Sequence, residues 1–179
     1  MTHPVVLSIL SAMLILYPLQ THIYYKAMKA LPLSTFGMLS GITPLSAMIF
    51  SYLFIGGHLR VFGIIGIFLT VGAIGVLSYK NQSKEIPLST LLTAISAYSV
   101  FGLVNVLDKI ALAHSIPMTY TMMNQSVAAI AIFLYTYFIL GDAKFGFLRA
   151  NLPQITLMGL AISVSWLSLS YALTLSPNA

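Results

Sequence analysis

The sequence predicts an all-α integral membrane protein with about six transmembrane helices, on three observations. Only 6% of the residues are charged, 59% are hydrophobic, and the apolar residues gather into runs of about bilayer length. An ordinary soluble domain carries roughly 25% charged residues, interspersed over its surface. Here three acids, Glu85, Asp108 and Asp142, face eight Lys and Arg. A soluble enzyme and a nucleic-acid binder are therefore both excluded. The net charge of +5 comes from basic residues scattered singly beside apolar runs, without a cluster or stripe. Their expected work is anchoring helix ends to lipid headgroups and setting orientation. There is no cysteine, which removes disulfides, thiolate metal sites and Cys nucleophiles together.

A bilayer core about 30 Å thick takes roughly 20 apolar residues as helix. Runs near that length extend from Pro4 to Tyr25, Ser34 to Ile55, Leu59 to Tyr79, Leu88 to Ala113, Met118 to Leu140 and Leu152 to Leu175. The first has no basic leader segment and no small-residue cleavage site after it, so it reads as a span rather than a signal peptide. Between the runs stand Lys29 to Pro32, Gly56-Gly57-His58, Lys80 to Pro87, His114 to Pro117 and Gly141 to Asn151, with Ser176-Pro177 after the last. These are turn-forming and charged residues. Most connections are short, which makes sequential helices antiparallel neighbours. Strands of a barrel would alternate polar and apolar at every second residue. Stretches such as Val61 to Leu77 are instead apolar all round, as a lipid-facing or buried helix must be.

The end of the first span is echoed at the end of the last. Tyr25-Lys26-Ala27 is followed by Pro32, and Tyr171-Ala172 by Pro177, an offset of 145 residues between the prolines. Internal repeats recur in transporters. A unit of this length holds five helices, so the chain is expected to be the middle six helices of a ten-helix protein, lacking two at each end.

Further residues carry a resemblance to a known family. Ala27, Pro32-Leu33-Ser34-Thr35, Pro44 within the second span, Gly56-Gly57-His58-Leu59 at its end, and the Gly-rich run from Gly63 and Gly66 to Gly75-Val76 resemble an EamA-like domain of the drug/metabolite transporter superfamily. Phe101-Gly102 through Val106-Leu107-Asp108-Lys109 to Pro117 is similar to the first helix of that family's second repeat. The resemblance implies two five-helix repeats of inverted topology. It divides the chain into residues 1–80 (last three helices of the first repeat), a linker at 81–87, and residues 88–179 (first three helices of the second). It also implies residence in a plasma or bacterial inner membrane and secondary transport of small metabolites, amino acids or drugs by alternating access, with proton coupling or solute exchange both open. The expected partners are the lipid bilayer and a small-molecule substrate. The Gly-rich third span fits packing between repeats or a homodimer contact. No nucleic acid and no cofactor are expected. His58 stands where the family usually has an acidic residue.

Orientation has two readings. Lys26, Lys29, Lys80, Lys84, Lys144 and Arg149 fall on one side, and Arg60 and Lys109 on the other. The positive-inside rule puts the first side in the cytoplasm, whereas the resemblance implies the reverse.

Polar groups inside a bilayer are the default functional candidates. In the fourth span Tyr98, Gly102, Asn105 and Lys109 fall on one face, at spacings of four, three and four. As a polar pathway, Lys109 would attract an anionic group, Asn105 and Tyr98 would supply hydrogen bonds, and Gly102 would leave room for a ligand. The alternative for Lys109 is snorkelling to the headgroups. Asp108, on another face, is either a proton-coupling carboxylate or the partner of a neighbouring helix. In the first span Tyr17, Gln20, Thr21 and Tyr24 are candidates for substrate contact, against an interfacial aromatic belt, and Pro18 can bend the helix. His22 reads as structural.

Tyr120, Asn124, Ala131 and Tyr135 share a face of the fifth span, and Ser163, Trp166, Ser170 and Thr174 one of the sixth. Asn124 and Trp166 are taken as substrate candidates, with interhelical hydrogen bonding and simple packing as the alternatives. Pro44 should kink its helix. Non-transport readings are a membrane scaffold or truncated subunit and, less well supported, an intramembrane enzyme. No His-Glu-x-x-His, Gly-x-Ser-x-Gly or nucleotide-binding Gly-x4-Gly-Lys-Ser/Thr motif occurs.

Overall fold

The computed structural model describes residues 3–56, 87–140 and 152–175, with residues 63, 65, 66, 68, 69, 72, 73 and 76. These are helical apart from short turns, and no strand occurs among them. The helices are α1 (Pro4–Ala30), α2 (Leu33–Leu39), α3 (Ile42–Ile55), α4 (Leu88–Leu112), α5 (Pro117–Tyr135), which runs into a π-helical turn (Thr136–Leu140), and α6 (Leu152–Leu175). Most of the expected third span, the 81–87 linker up to residue 86, the connection at 141–151 and the Pro177 half of the sequence repeat lie outside the described residues. Three stretches are long and apolar enough to cross a membrane: Pro4–Ala30, Leu33–Ile55 and Leu88–Leu112.

The helix boundaries follow from the local sequence. Pro4 and Pro117 stand at the first turns of α1 and α5, where a missing N–H breaks no helical bond. Pro18 lies inside α1, which continues through it. The expected second span is in two pieces. Pro44 has no N–H to offer the carbonyl of Ser40 four residues earlier. Thr43 N–H reaches that carbonyl instead at 3.0 Å, after Ser40 and Gly41 N–H have bonded Gly37 and Met38 carbonyls in a tight turn. The break expected at Pro44 therefore sits at Ser40–Gly41, one helical turn upstream. Gly56 closes α3 with φ of 68° and ψ of 26°, its N–H on the Ser51 carbonyl. Only a residue without a Cβ adopts that left-handed conformation freely.

The chain divides into two compact units, one of residues 19–107 and one of residues 1–18 with 108–179. In the first, Ala27, Leu31, Phe36, Leu39, Ala94 and Tyr98 form a buried cluster. The Tyr24 ring meets Phe36 edge-on at 4.8 Å between centroids, and Phe36 and Tyr98 are 5.1 Å apart. Such edge and tilted contacts match the quadrupoles of the rings. The Tyr98 hydroxyl donates to the Phe36 carbonyl at 2.8 Å.

The same unit contains its closest helix approach at Gly102. A Cβ there would fall 2.6 Å from Ala47 N and 2.8 Å from Thr43 O, and would collide with Ser46 Oγ. Ser46, itself buried, donates to the Thr43 carbonyl at 3.0 Å. The space beside Gly102, expected to admit a ligand, is thus filled by the backbone of α3. Gly102 serves close packing, as small residues do between apolar helices.

In the second unit α1 buries Val6, Ile9, Leu10 and Met13, spaced as one helical stripe, and α5 packs against α6. Thr121 donates to Ser170 Oγ at 2.8 Å, joining the two helices by the hydroxyl bonding expected of membrane bundles. Large apolar side chains of this unit are exposed, among them Ile15, Phe138 and Leu157, each more than 70% exposed. Exposed apolar side chains of this size are suited to contact with lipid.

Gly102→Ala should therefore lower stability by about 1–3 kcal/mol through overpacking against α3. Gly37→Ala, with nothing within 4 Å of its new Cβ, should be neutral or stabilising by up to about 1 kcal/mol through helix propensity. Thermal unfolding of the two variants in detergent checks the contrast.

Candidate functional site

Asp108 is the centre of a polar cluster built by three helices. It stands on the last turns of α4 with 2% of its surface exposed. α5 presents Tyr120 and Asn124 to it, four residues apart and hence on one face. They are 1% and 3% exposed. Tyr120 Oη donates to Asp108 Oδ1 at 2.5 Å, and Asn124 Nδ2 donates to the same oxygen at 3.3 Å. Tyr17, one turn beyond Met13 on the buried stripe of α1, donates from Oη to Asn124 Oδ1 at 3.0 Å. Asn124 thus faces both ways, its amide N–H toward the carboxylate and its carbonyl toward Tyr17.

A carboxylate removed from water is strongly unfavourable unless hydrogen bonds replace its hydration. The short Tyr120 bond lies in the range of charge-assisted O–H···O⁻ interactions, about twice as strong as neutral ones. Asp108 Oδ2, by contrast, is enclosed and has no hydrogen-bond partner among the described residues. One oxygen is held in place by two donors, and the other has none among the described residues.

Among the residues singled out from the sequence, Tyr17, Asp108 and Asn124 come together here. Lys109 is half-buried and makes no side-chain hydrogen bond or ion pair among the described residues. Trp166 is half-buried on α6, one turn from Ser170 on the same face. Gln20, Thr21, Tyr24, Tyr98 and Asn105 belong to the unit of residues 19–107. There Gln20 is buried, Tyr24 and Tyr98 are engaged in the aromatic cluster, and Asn105 Oδ1 is enclosed without a partner among the described residues.

Sequence reasoning put Tyr120 with Asn124 on one face but did not count it as a site residue, although the four-residue spacing was the available signal. It also left His3 and His114 unconnected. Their rings stack at 4.5 Å between centroids with an interplanar angle of 7°. Beside them a cavity of about 360 Å³ is lined by His114, Ser115, Thr119, Tyr120 and Met123, among others. Nothing in the sequence spacing of 111 residues between the two histidines announces that pair.

No family model matches the chain, no curated protein matches it, and no solved structure matches it. The resemblance to EamA-like domains rests on the sequence positions alone.

Tyr120→Phe removes the charge-assisted bond and should destabilise the protein by about 1.5–3 kcal/mol, whereas Tyr17→Phe, which removes a neutral bond, should cost about 1 kcal/mol. Equilibrium unfolding in mixed micelles measures the order.

Proposed function

We propose that the chain is a six-span integral membrane protein, the central part of a ten-helix inverted-repeat secondary transporter of the EamA-like kind. It moves small metabolites, amino acids or drugs by alternating access, with Asp108 as the coupling group. α5 with its π-helical turn and α6 supply spans beyond the three that are long and apolar enough by themselves, and the apolar run from Leu59 to Tyr79 is the remaining one by its sequence.

One observation carries this reading: the buried carboxyl of Asp108, anchored through Oδ1 and open at Oδ2. Ionisable groups are expensive inside apolar helices and mark substrate, ion or proton pathways there. Tyr17, the other end of the cluster, is the middle residue of α1, and transporter sites lie near the bilayer midplane. The exposed apolar side chains of α1, α3 and α6 fit a lipid surround.

Gain and loss of a proton at Asp108 changes its hydrogen-bonding role. The carboxylate accepts from both Tyr120 and Asn124. The acid has an O–H of its own to donate, which favours a different arrangement of α4 against α5. A protonation step of that kind biases a two-state helix packing, as alternating access requires. Lys109, on the neighbouring face, is the candidate partner for an anionic group of the solute.

The test is solute flux into phosphatidylcholine vesicles carrying the full-length protein, with labelled amino acids and small metabolites offered under an imposed pH gradient. Saturable uptake of chemically unchanged solute is expected, and Asp108→Asn should lose uptake against a gradient while retaining exchange. A chemically altered product would point to an enzyme, and no flux of any solute to a scaffold. Unchanged affinity for an anionic solute in Lys109→Ala would remove Lys109 from the site.

A further inference from the structure

We propose that the cavity beside the stacked His3–His114 pair is the port through which protons reach Asp108, with Tyr120 as the relay. The inference rests on the reading of Asp108 as the coupling group and says by which route that group exchanges its proton.

Tyr120 is the residue that belongs to both places. It lines the cavity together with His3, His114, Ser115 and Thr119, and its hydroxyl is bonded to Asp108 Oδ1 at 2.5 Å. The cavity lies where α1 begins, α4 ends and α5 begins, lined by the first turns of α1 and α5 and by the turn that joins α4 to α5. Asp108 is four residues before the end of α4, about 6 Å along the helix. A cavity of about 360 Å³ with two imidazoles, two hydroxyls and a phenol on its wall has both the room and the polar partners that water needs. Imidazole is the side chain suited to taking up and releasing protons in the physiological range. Val5 N–H donates to His3 Nδ1 at 3.4 Å, which places the neutral ring's proton on Nε2.

The titratable groups around Asp108 are Tyr17 on α1 and Tyr120 on α5, and no Lys, Arg or Glu among the described residues pairs with it. Around the port they are His3, His114 and Tyr120. Tyr120 is therefore the sole titratable group common to both surroundings among the described residues. In the inward step a protonated imidazole gives its proton to cavity water. The water passes a proton to Tyr120 Oη as the Tyr120 O–H proton moves to Asp108 Oδ1. The imidazolium becomes imidazole, the carboxylate becomes carboxylic acid, and Tyr120 ends as it began, a phenol. No electron is transferred.

The experiment is time-resolved infrared spectroscopy of the full-length protein in lipid nanodiscs after a rapid drop in pH, with the protonated carboxyl band assigned by its loss in Asp108→Asn. The band should rise at least about tenfold more slowly in Tyr120→Phe, a barrier increase of about 1.4 kcal/mol. It should also rise more slowly in the His3→Ala/His114→Ala double variant, and added imidazole should restore the rate. That rescue separates proton transfer from a folding defect, because the two histidines lie outside the buried cluster and free imidazole does not repair packing. Wild-type rates in Tyr120→Phe and in the double variant would overturn the port while leaving Asp108 as the coupling group. Absence of the Asp108 band from the wild type would overturn the coupling role and the port together.

Discussion

Asp108 brings a carboxyl group to a position with almost no access to water, and the hydrogen bonds that make this tolerable set the arrangement of the helices around it. Tyr120 and Asn124 must face it from α5, which fixes the rotation of that helix about its own axis. Once that rotation is set, Thr121 is carried to Ser170 on α6, and the carbonyl of Asn124 is presented to Tyr17 on α1. Removing a donor from such a cluster leaves a buried acceptor unsatisfied, which is more damaging than the mean value of a hydrogen bond suggests. The cluster is accordingly a constraint on packing as well as a candidate for chemistry. Asp108 Oδ2 is enclosed and has no hydrogen-bond partner among the described residues.

The unit of residues 19–107 is held by different means. Its aromatic cluster and the Gly102 contact are close-packed apolar surfaces, with the Tyr98 hydroxyl spent on the Phe36 carbonyl. Direct contact of helix backbones at Gly102 leaves little freedom for sliding, since the Ser46, Ala47 and Thr43 atoms already occupy the place of a side chain.

Helical class, most element boundaries and the three membrane-length apolar helices were legible in the sequence, because they depend on local chemistry: run length, prolines and glycines. Pro44 shows the limit of that legibility. The disruption was predictable, but it acts through the missing bond to Ser40 and so falls a turn earlier than the proline itself. Which face of a helix meets which neighbour was not legible. Tyr98, Gly102, Asn105 and Lys109 share a helical stripe, yet α3 takes up the Gly102 portion and Phe36 engages Tyr98. A stripe gives the direction of side chains and not the identity of what lies opposite. Asp108 had two readings for the same reason. It hydrogen-bonds to the neighbouring helix through Oδ1, and Oδ2 has no partner among the described residues. His3 and His114 are brought together by α1, α4 and α5 ending at one place, a tertiary fact without a local signal.

The most direct measurement is a double-mutant cycle between Asp108 and Tyr120, using Asp108→Asn, Tyr120→Phe and the double variant, with unfolding free energies determined in the same micelles. If the carboxylate is held by Tyr120, the two substitutions are strongly coupled, with an interaction energy of about 1 kcal/mol or more. Additivity within about 0.5 kcal/mol would show two independent side chains. It would contradict the cluster on which the site, the coupling role and the proton path all depend.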